Sequence, residues 1–451
     1  MNSLILAFKK YKFLIFILGF SYSGELIFPA FGPVLNSVIG GKQALYMSSW
    51  SMIFLISSFI IPTGKIMKIE KNKYYLPVLV FIVGLLVCFF FYFSTIIQWV
   101  LLAVFGFTIG RIAINWSRMF LKEVPFEDRG KVMGLCLFVC YGFLYIGNVI
   151  VPSIPKEIAP IIPGLLLWFS MTLYIRYEKF EVIIFEDSKN NYKTLPWSFF
   201  GLIFMIYITA GITYAGVYPE FMNYKVFERY YNVLPFVLSA LIAGHIADVY
   251  GRKYLLYAGI ALLGFSFTFH TLPYGIWTYF LTQTTLQSGW AFLDTYVWIM
   301  AGDMAVEKKN PRLHIYGVAA FLSGTIFGSF IAFSLSNTAI SVSPFYGIIT
   351  HMPLFAAVTL LLIVPEIVDK RKILWHQVEE EVTILHPLMA EKLTPREKEV
   401  AELLIRNKSG KEICDNLYIS NNTLKTHSRN IYKKLGVSNK RDLQEKQGKF
   451  I

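Results

Sequence analysis

Up to residue 366 the chain alternates long apolar runs with short polar ones. Crossing a bilayer takes about 20 predominantly apolar residues in a helix. Runs of that kind fall at 13–33, 44–63, 75–93, 96–117, 132–152, 158–176, 198–218, 231–250, 253–272, 274–301, 314–335 and 345–365. The pattern predicts about twelve helices of spanning length. The polar connections between them come in two kinds. One set carries Lys65, Lys68, Lys71 and Lys73, then Arg118, Lys122, Arg129 and Lys131, then Arg176, Lys179, Lys189 and Lys193, then Arg252 and Lys253, then Lys308, Lys309 and Arg312. The other set carries only Lys42, Lys156, Lys225 and Arg229. With Lys9, Lys10 and Lys12 ahead of the first run, the bias of basic residues toward the cytoplasmic side places both termini in the cytoplasm. Only an even number of spans preserves this alternation. The first run has the basic flank of a signal peptide but no clear small-residue cleavage site, so it reads as a retained span.

The hydrophilic stretch Tyr177 to Lys193 divides the runs into two groups of six, within 1–177 and 194–366. Beyond Pro365 the pattern changes. Residues 367–392 form a charged connector containing Glu379, Glu380 and Glu381, and 393–451 contain no run long enough to span. In that tail Thr394 is an N-cap with Pro395 at the first helical position and acidic residues in the first turn. Val400, Leu403 and Leu404 form one apolar face. A second helix is expected from about Gly410 to Leu417, and a third, capped by Ser420 and stopped by Gly436, from Asn421 to Leu435. Leu424, Ile431 and Leu435 share the inner face of the third helix, which leaves Lys425, Thr426, Arg429, Asn430 and Lys433 outside. A fourth helix from about Asn439 turns Leu443 inward. The fold class is therefore all-α: a polytopic membrane bundle, 1–366, a linker, 367–392, and a four-helix soluble domain, 393–451.

Composition agrees with this division. Of 451 residues 55 % are hydrophobic, 17 % aromatic and only 16 % charged, too apolar for an ordinary soluble globule. The net charge of +13 is concentrated between the apolar runs and in the tail. The third tail helix has four basic residues and no acidic one, the footprint of a helix lying against phosphates in a major groove. Double-stranded DNA is the expected partner there, with the lipid bilayer around the bundle. Cys88, Cys136, Cys140 and Cys414 suggest no disulfide framework. No nucleophile-base grouping, phosphate-cradling glycine loop or metal-ligand cluster is present in the soluble part, so neither an enzyme nor a cofactor is expected.

The stretch from Leu393-Thr394-Pro395-Arg396-Glu397 through Lys411-Glu412-Ile413, Thr423-Leu424-Lys425-Thr426-His427, Asn430-Ile431-Tyr432 and Lys434-Leu435-Gly436-Val437 resembles the LuxR-type helix-turn-helix domain. The resemblance implies that Lys425, Thr426 and Arg429 face base edges, with Ser420, Thr423, His427 and Lys433 nearer the backbone. His427 reads equally well as a packing or capping residue. Such small domains usually bind as dimers on spaced half-sites.

The six-plus-six layout resembles the major facilitator superfamily. So does Gly244-His245-Ile246-Ala247-Asp248-Val249-Tyr250-Gly251-Arg252-Lys253, which is similar to that family's short cytoplasmic loop. There Asp248 and Arg252 would pair with a neighbouring helix end and latch one conformation. The matching place in the first half, Pro62 to Lys68, lacks the Asp, which weighs against active transport. Ionisable groups inside spans are few: Glu25, Arg111 and Asp294. Each is expensive in hydrocarbon and so is expected to face the bundle interior. Glu25 and Arg111 are a candidate pair, and Arg111 with Asn115 resembles the arginine-bearing fourth helix of facilitators. Tyr22, Trp116, Tyr207, Tyr214, Gln283, Gln287 and Trp290 are candidate walls of a small-molecule cavity, or plain packing residues.

Together these readings give a membrane-bound one-component transcription regulator of the cell (inner) membrane. Its sensor bundle would control DNA binding by the tail. A secondary transporter with a regulatory DNA-binding tail and a constitutive regulator held by a structural anchor are the rivals.

Overall fold

The computed structural model describes residues 2–30, 32–60, 75–177, 196–213, 224–270, 272–273, 275–308, 310–336, 393–405, 409–417 and 421–448. All regular structure among them is helical. The chain divides into two compact units, Met1–Val368 and Asp369–Ile451.

The first unit holds α1 (Asn2–Ile27), α2 (Pro33–Val38), α3 (Gly41–Ile60), α4 (Tyr75–Cys88), α5 (Thr95–Glu123), α6 (Arg129–Ile150) and α7 (Ile161–Tyr177). It continues with α8 (Trp197–Ile212), α9 (Lys225–Tyr231), α10 (Leu234–Val249), α11 (Arg252–His270), α12 (Ile276–Glu307) and α13 (Arg312–Ser336). Every expected apolar segment through 314–335 overlaps one of these helices over its described residues; the segment 345–365 and the linker 367–392 lie outside the described residues. Among the described residues, four helices are long and apolar enough to cross a membrane: Thr95–Glu123, Phe126–Ser153, Arg229–Val249 and Arg312–Ser334. Tyr75–Cys88, Ile161–Tyr177 and Trp197–Ile212 are apolar but shorter. The outer surface is oily. On α4, Val78, Ile82 and Leu85, continued by Phe89 just past its end, form an exposed stripe at helical spacing, a surface that a water-soluble domain rarely presents.

Packing repeats along the unit. In the first part α1 pairs with α6 and α3 with α5; in the second, α8 pairs with α13 and α10 with α12. The two parts meet where α6 packs on α10 and α3 on α13. Small residues set these approaches. A Cβ on Gly134 of α6 would lie 2.6 Å from the Ala240 carbonyl and 3.0 Å from Gly244 Cα on α10, so the backbones meet without side chains between them. At the end of α10, Gly251 adopts φ 111°, a left-handed turn that lets α11 start at the next residue.

The second unit holds α14 (Pro395–Ile405), α15 (Gly410–Leu417), α16 (Asn421–Leu435) and α17 (Lys440–Gly448). Its core is Leu393, Val400, Ala401, Leu403, Leu404, Ile413, Leu424, Ile431, Leu435 and Leu443. Helix starts are fixed by reciprocal caps. Thr394 N–H donates to Glu397 Oε2 at 2.9 Å while Glu397 N–H points at Thr394 Oγ1 at 3.4 Å. Ser409 and Glu412 repeat this at 2.8 and 3.3 Å, and Asp442 N–H donates to Asn439 Oδ1 at 2.9 Å. Gly436, at φ 63°, ends α16, and the Val437 N–H bonds back to the Tyr432 carbonyl at 3.0 Å.

Candidate nucleic-acid interface and buried ionic sites

Helix α16 separates its two faces cleanly. Leu424, Ile431 and Leu435 are buried, whereas Thr423, Lys425, Thr426, Arg429 and Lys433 are exposed. At 100° per residue, Lys425, Arg429, Lys433 and Thr426 fall within one arc of roughly 100° opposite the buried leucines. Lys425 and Arg429, with Gly410, Asn421, Leu424, Ser428, Tyr432 and Ser438, line a groove of about 530 Å³. His427 is half-buried at the edge of the core face, which suits a packing role as well as a backbone contact. Ser420 lies outside the described residues.

The fourth basic residue is committed elsewhere. Lys434 Nζ pairs with Glu397 Oε2 at 2.6 Å, tying the reading helix to the first turn of α14. Burial pushes the Glu397 carboxyl up, but the Lys434 ammonium and the Thr394 N–H and hydroxyl outweigh it and hold the group below its ordinary range. The sequence shows Lys434 only as one of four basic residues of the helix and does not reveal this pair, which bridges 37 residues. Its one signal was Glu397 three residues after Thr394.

A rigid, exposed basic helix mounted on three capped supporting helices is a helix-turn-helix module of the DNA-binding kind. Residues 391–445 match the family described as bacterial regulatory proteins, luxR family. The spore germination protein GerE of Bacillus subtilis (strain 168) is 51 % identical over 45 residues, 10 % of this chain and 61 % of that protein. The transcriptional regulatory protein MctR of Rhizobium johnstonii is 44 % identical over 46 residues, 10 % of this chain and 22 % of its own length. The chain thus spans less than two thirds of either relative. The C-terminal segment is a LuxR-type DNA-binding domain of transcription regulators.

In the first unit, the loop singled out in the sequence closes on the other part of the bundle. Asp248 accepts the Gly130 and Lys131 N–H groups, each at 2.8 Å, and so caps the N-terminus of α6. Arg252 Nη1 reaches Asp248 Oδ1 at 2.8 Å, and its Nε reaches Asp303 Oδ2 at 3.3 Å. Arg129 Nη1 completes the cluster on Asp303 Oδ1 at 2.7 Å. All four side chains are buried, two acids against two arginines. Asp303 was not among the expected residues, because it lies just past an apolar run, and Arg129 was counted only as a topogenic charge. The other end of α6 is held too: Arg229 Nε donates to the Val149 carbonyl at 3.0 Å, and the same guanidinium reaches Ser153 Oγ.

The expected Glu25–Arg111 pair does not form. Neither Glu25 carboxylate oxygen has a hydrogen-bond partner among the described residues, and Arg111 Nη1 donates to the Ser58 carbonyl at 3.2 Å. Register explains it. Trp116 Nε1 donates to the Leu14 carbonyl at 2.8 Å, fixing α5 against α1. From that bond Arg111 lies about 7.5 Å along the bundle and Glu25 about 16 Å, at 1.5 Å per residue. Asn115 spends its amide on the Arg111 carbonyl of its own helix, at 2.9 Å. Asp294 is held by two phenols, Tyr141 at 3.0 Å and Tyr207. Tyr214 and the segment Pro62 to Lys68 lie outside the described residues.

Proposed function

We propose that this chain is a membrane-bound one-component transcription regulator, in which a sensor bundle controls sequence-specific DNA binding by residues 393–451. The observation that carries the reading is the exposed face of α16, with Lys425, Thr426 and Arg429 opposite the core and no acidic residue on the helix. Arg or Lys to guanine and the Thr methyl to thymine are the pairings this chemistry favours. Thr423, Lys433, Ser420 and His427 sit nearer the phosphates, and two copies of the domain read two half-sites. The oily exterior of α4 and the four helices long and apolar enough to cross a bilayer support a membrane location; about twelve spans in the cell (inner) membrane, with both termini cytoplasmic, are what the apolar runs and the bias of basic residues add to the proposal. A ligand acts through such a bundle only by binding two of its conformations unequally.

The test is selection of duplexes from a random pool by the full-length protein. Arg429→Ala and Lys425→Ala are expected to weaken the selected site roughly 5- to 150-fold, about 1–3 kcal/mol, and to relax the base choice each residue makes. Retained selectivity in both variants would refute the assignment of α16.

A second reading is a secondary transporter carrying the DNA-binding tail. The repeated helix pairing, α1/α6 with α3/α5 and α8/α13 with α10/α12, favours it. Substrate uptake into vesicles that is lost on Arg111→Ala would establish it.

A further inference from the structure

Two contacts mark opposite ends of the bundle. At one end the buried cluster of Asp248, Arg252, Asp303 and Arg129 sits at the N-terminus of α6. At the other, Arg229 of α9 donates to the Val149 carbonyl near the C-terminus of α6. At about 1.5 Å per residue, Val149 lies about 29 Å along α6 from Gly130. Along α12, Phe280 lies about 35 Å and Trp277 about 39 Å from Asp303. The hydrocarbon of a bilayer is about 30 Å thick, or about 40–45 Å with its two headgroup layers. Arg129, Lys131, Arg252 and Lys253 belong to the connections rich in basic residues, which puts the ionic cluster at the cytoplasmic edge of the hydrocarbon. From there the two helix lengths carry α9 and the first turn of α12 to the headgroup layer of the opposite leaflet.

At that end the surface is aromatic. Val226, Phe227 and Tyr230 fall within one arc of about 100° on α9, and all three are exposed. Trp277, in the first turn of α12, is 76 % exposed. The rings form one patch around Phe280, whose centroid is 5.3 Å from Phe227, 4.7 Å from Tyr231 and 6.5 Å from Trp277. Below it, Leu238 and Ile242 are exposed one turn apart on α10, so the patch continues an oily exterior. The inner side of α9 is fixed to the bundle: the Tyr231 hydroxyl meets Thr284 Oγ1 at 2.7 Å, and Arg229 holds Val149. Tyr and Trp join an apolar body to a polar tip and collect where oil meets water.

We propose that Val226, Phe227, Tyr230 and Trp277 form an interfacial anchor that seats this end of the bundle in the headgroup and ester-carbonyl layer of the non-cytoplasmic leaflet. The Trp277 indole N–H and the Tyr230 hydroxyl donate to phospholipid oxygens, while the ring bodies and Val226 lie against the upper acyl chains. Seated there, α9 carries Arg229 at the level of the Val149 carbonyl that it holds. The inference rests on the membrane-bound reading of this unit and names the layer of the bilayer that α9 meets.

The experiment is fluorescence quenching of the full chain in phosphatidylcholine nanodiscs that carry a nitroxide either on the headgroup or at the acyl-chain end. The chain has nine tryptophans, so the Trp277 signal is taken as the difference between wild type and Trp277→Phe. The headgroup nitroxide is expected to quench this signal at least about threefold more than the chain-end nitroxide. Tyr230→Trp, placed in the Trp277→Phe chain, is expected to report the same order from α9. Both side chains are exposed, so neither substitution disturbs the core. Stronger quenching from the chain end overturns the anchor, as does free quenching by aqueous iodide with none from either lipid. Shielding from lipid and iodide alike also overturns it, and assigns the patch to a second copy of the chain. Incorporation into the discs separates the two readings: an incorporated chain whose Trp277 escapes the headgroup nitroxide refutes the anchor alone, whereas a chain that does not incorporate refutes the membrane-bound reading and the anchor with it.

Discussion

Replacing Glu397 by alanine tests how the DNA-binding domain holds its reading helix. The substitution removes three contacts of one carboxylate: with Thr394 N–H at 2.9 Å, Thr394 hydroxyl at 2.9 Å and Lys434 Nζ at 2.6 Å. Loss of a helix cap costs about 0.5–2 kcal/mol. The ion pair adds about 0.2–1 kcal/mol, because the Lys434 side chain is 40 % exposed and regains water when released. The sum is about 1–3 kcal/mol, which lowers the melting temperature of a domain this size by roughly 4 to 20 °C. Thermal unfolding of residues 369–451, followed by circular dichroism at neutral pH, measures it. Glu397→Gln keeps an acceptor for the cap and loses only the charge, so it falls between wild type and Glu397→Ala. The pH dependence follows from the depressed carboxyl. Its stabilising contribution is complete above the unfolded-state value of about 4.3 and disappears as pH falls through the lower folded-state value. Wild type therefore loses more stability on acidification than Glu397→Gln. A melting temperature unchanged in Glu397→Ala, or parallel acid curves for wild type and Glu397→Gln, would refute the reasoning.

Two further outcomes concern the bundle. Asp303→Asn leaves Arg129 and Arg252 facing each other without their shared acid, and is expected to cost about 3–5 kcal/mol. The readout is the unfolding midpoint of the detergent-solubilised chain, and an unchanged midpoint speaks against the cluster. Gly134→Ala puts a methyl 2.6 Å from the Ala240 carbonyl and is expected to destabilise by about 1–3 kcal/mol. Gly142→Ala, with nothing within 4 Å of the added atom, is the neutral control on the same helix. Equal midpoints for the two would show that α6 and α10 do not meet as described.

What was legible in the sequence was whatever depends on neighbours along the chain. The limits of α16, its buried and exposed faces, the Thr394 cap and the Gly436 stop all follow from periodicity and capping within a few residues, and the helices of the bundle fall on the apolar runs. Contacts between distant segments were not legible. Tyr141 looks like any other core aromatic until α6 and α12 are packed, when its hydroxyl meets Asp294 across 153 positions. Arg129 reads as a loop charge until Asp303 arrives from 174 positions away. The proposed Glu25–Arg111 pair failed for the same reason in reverse: opposite charges on adjacent helices were evident, but the axial register that separates them was not.

Helix α6 belongs to the first part of the bundle, yet both its poles are clasped from the second, the amino end by Asp248 in the last turn of α10 and the carboxyl end by Arg229 on α9. Each clasp matches the sign of the dipole it meets. Breaking one clasp therefore leaves the other still holding α6 against the second part of the bundle.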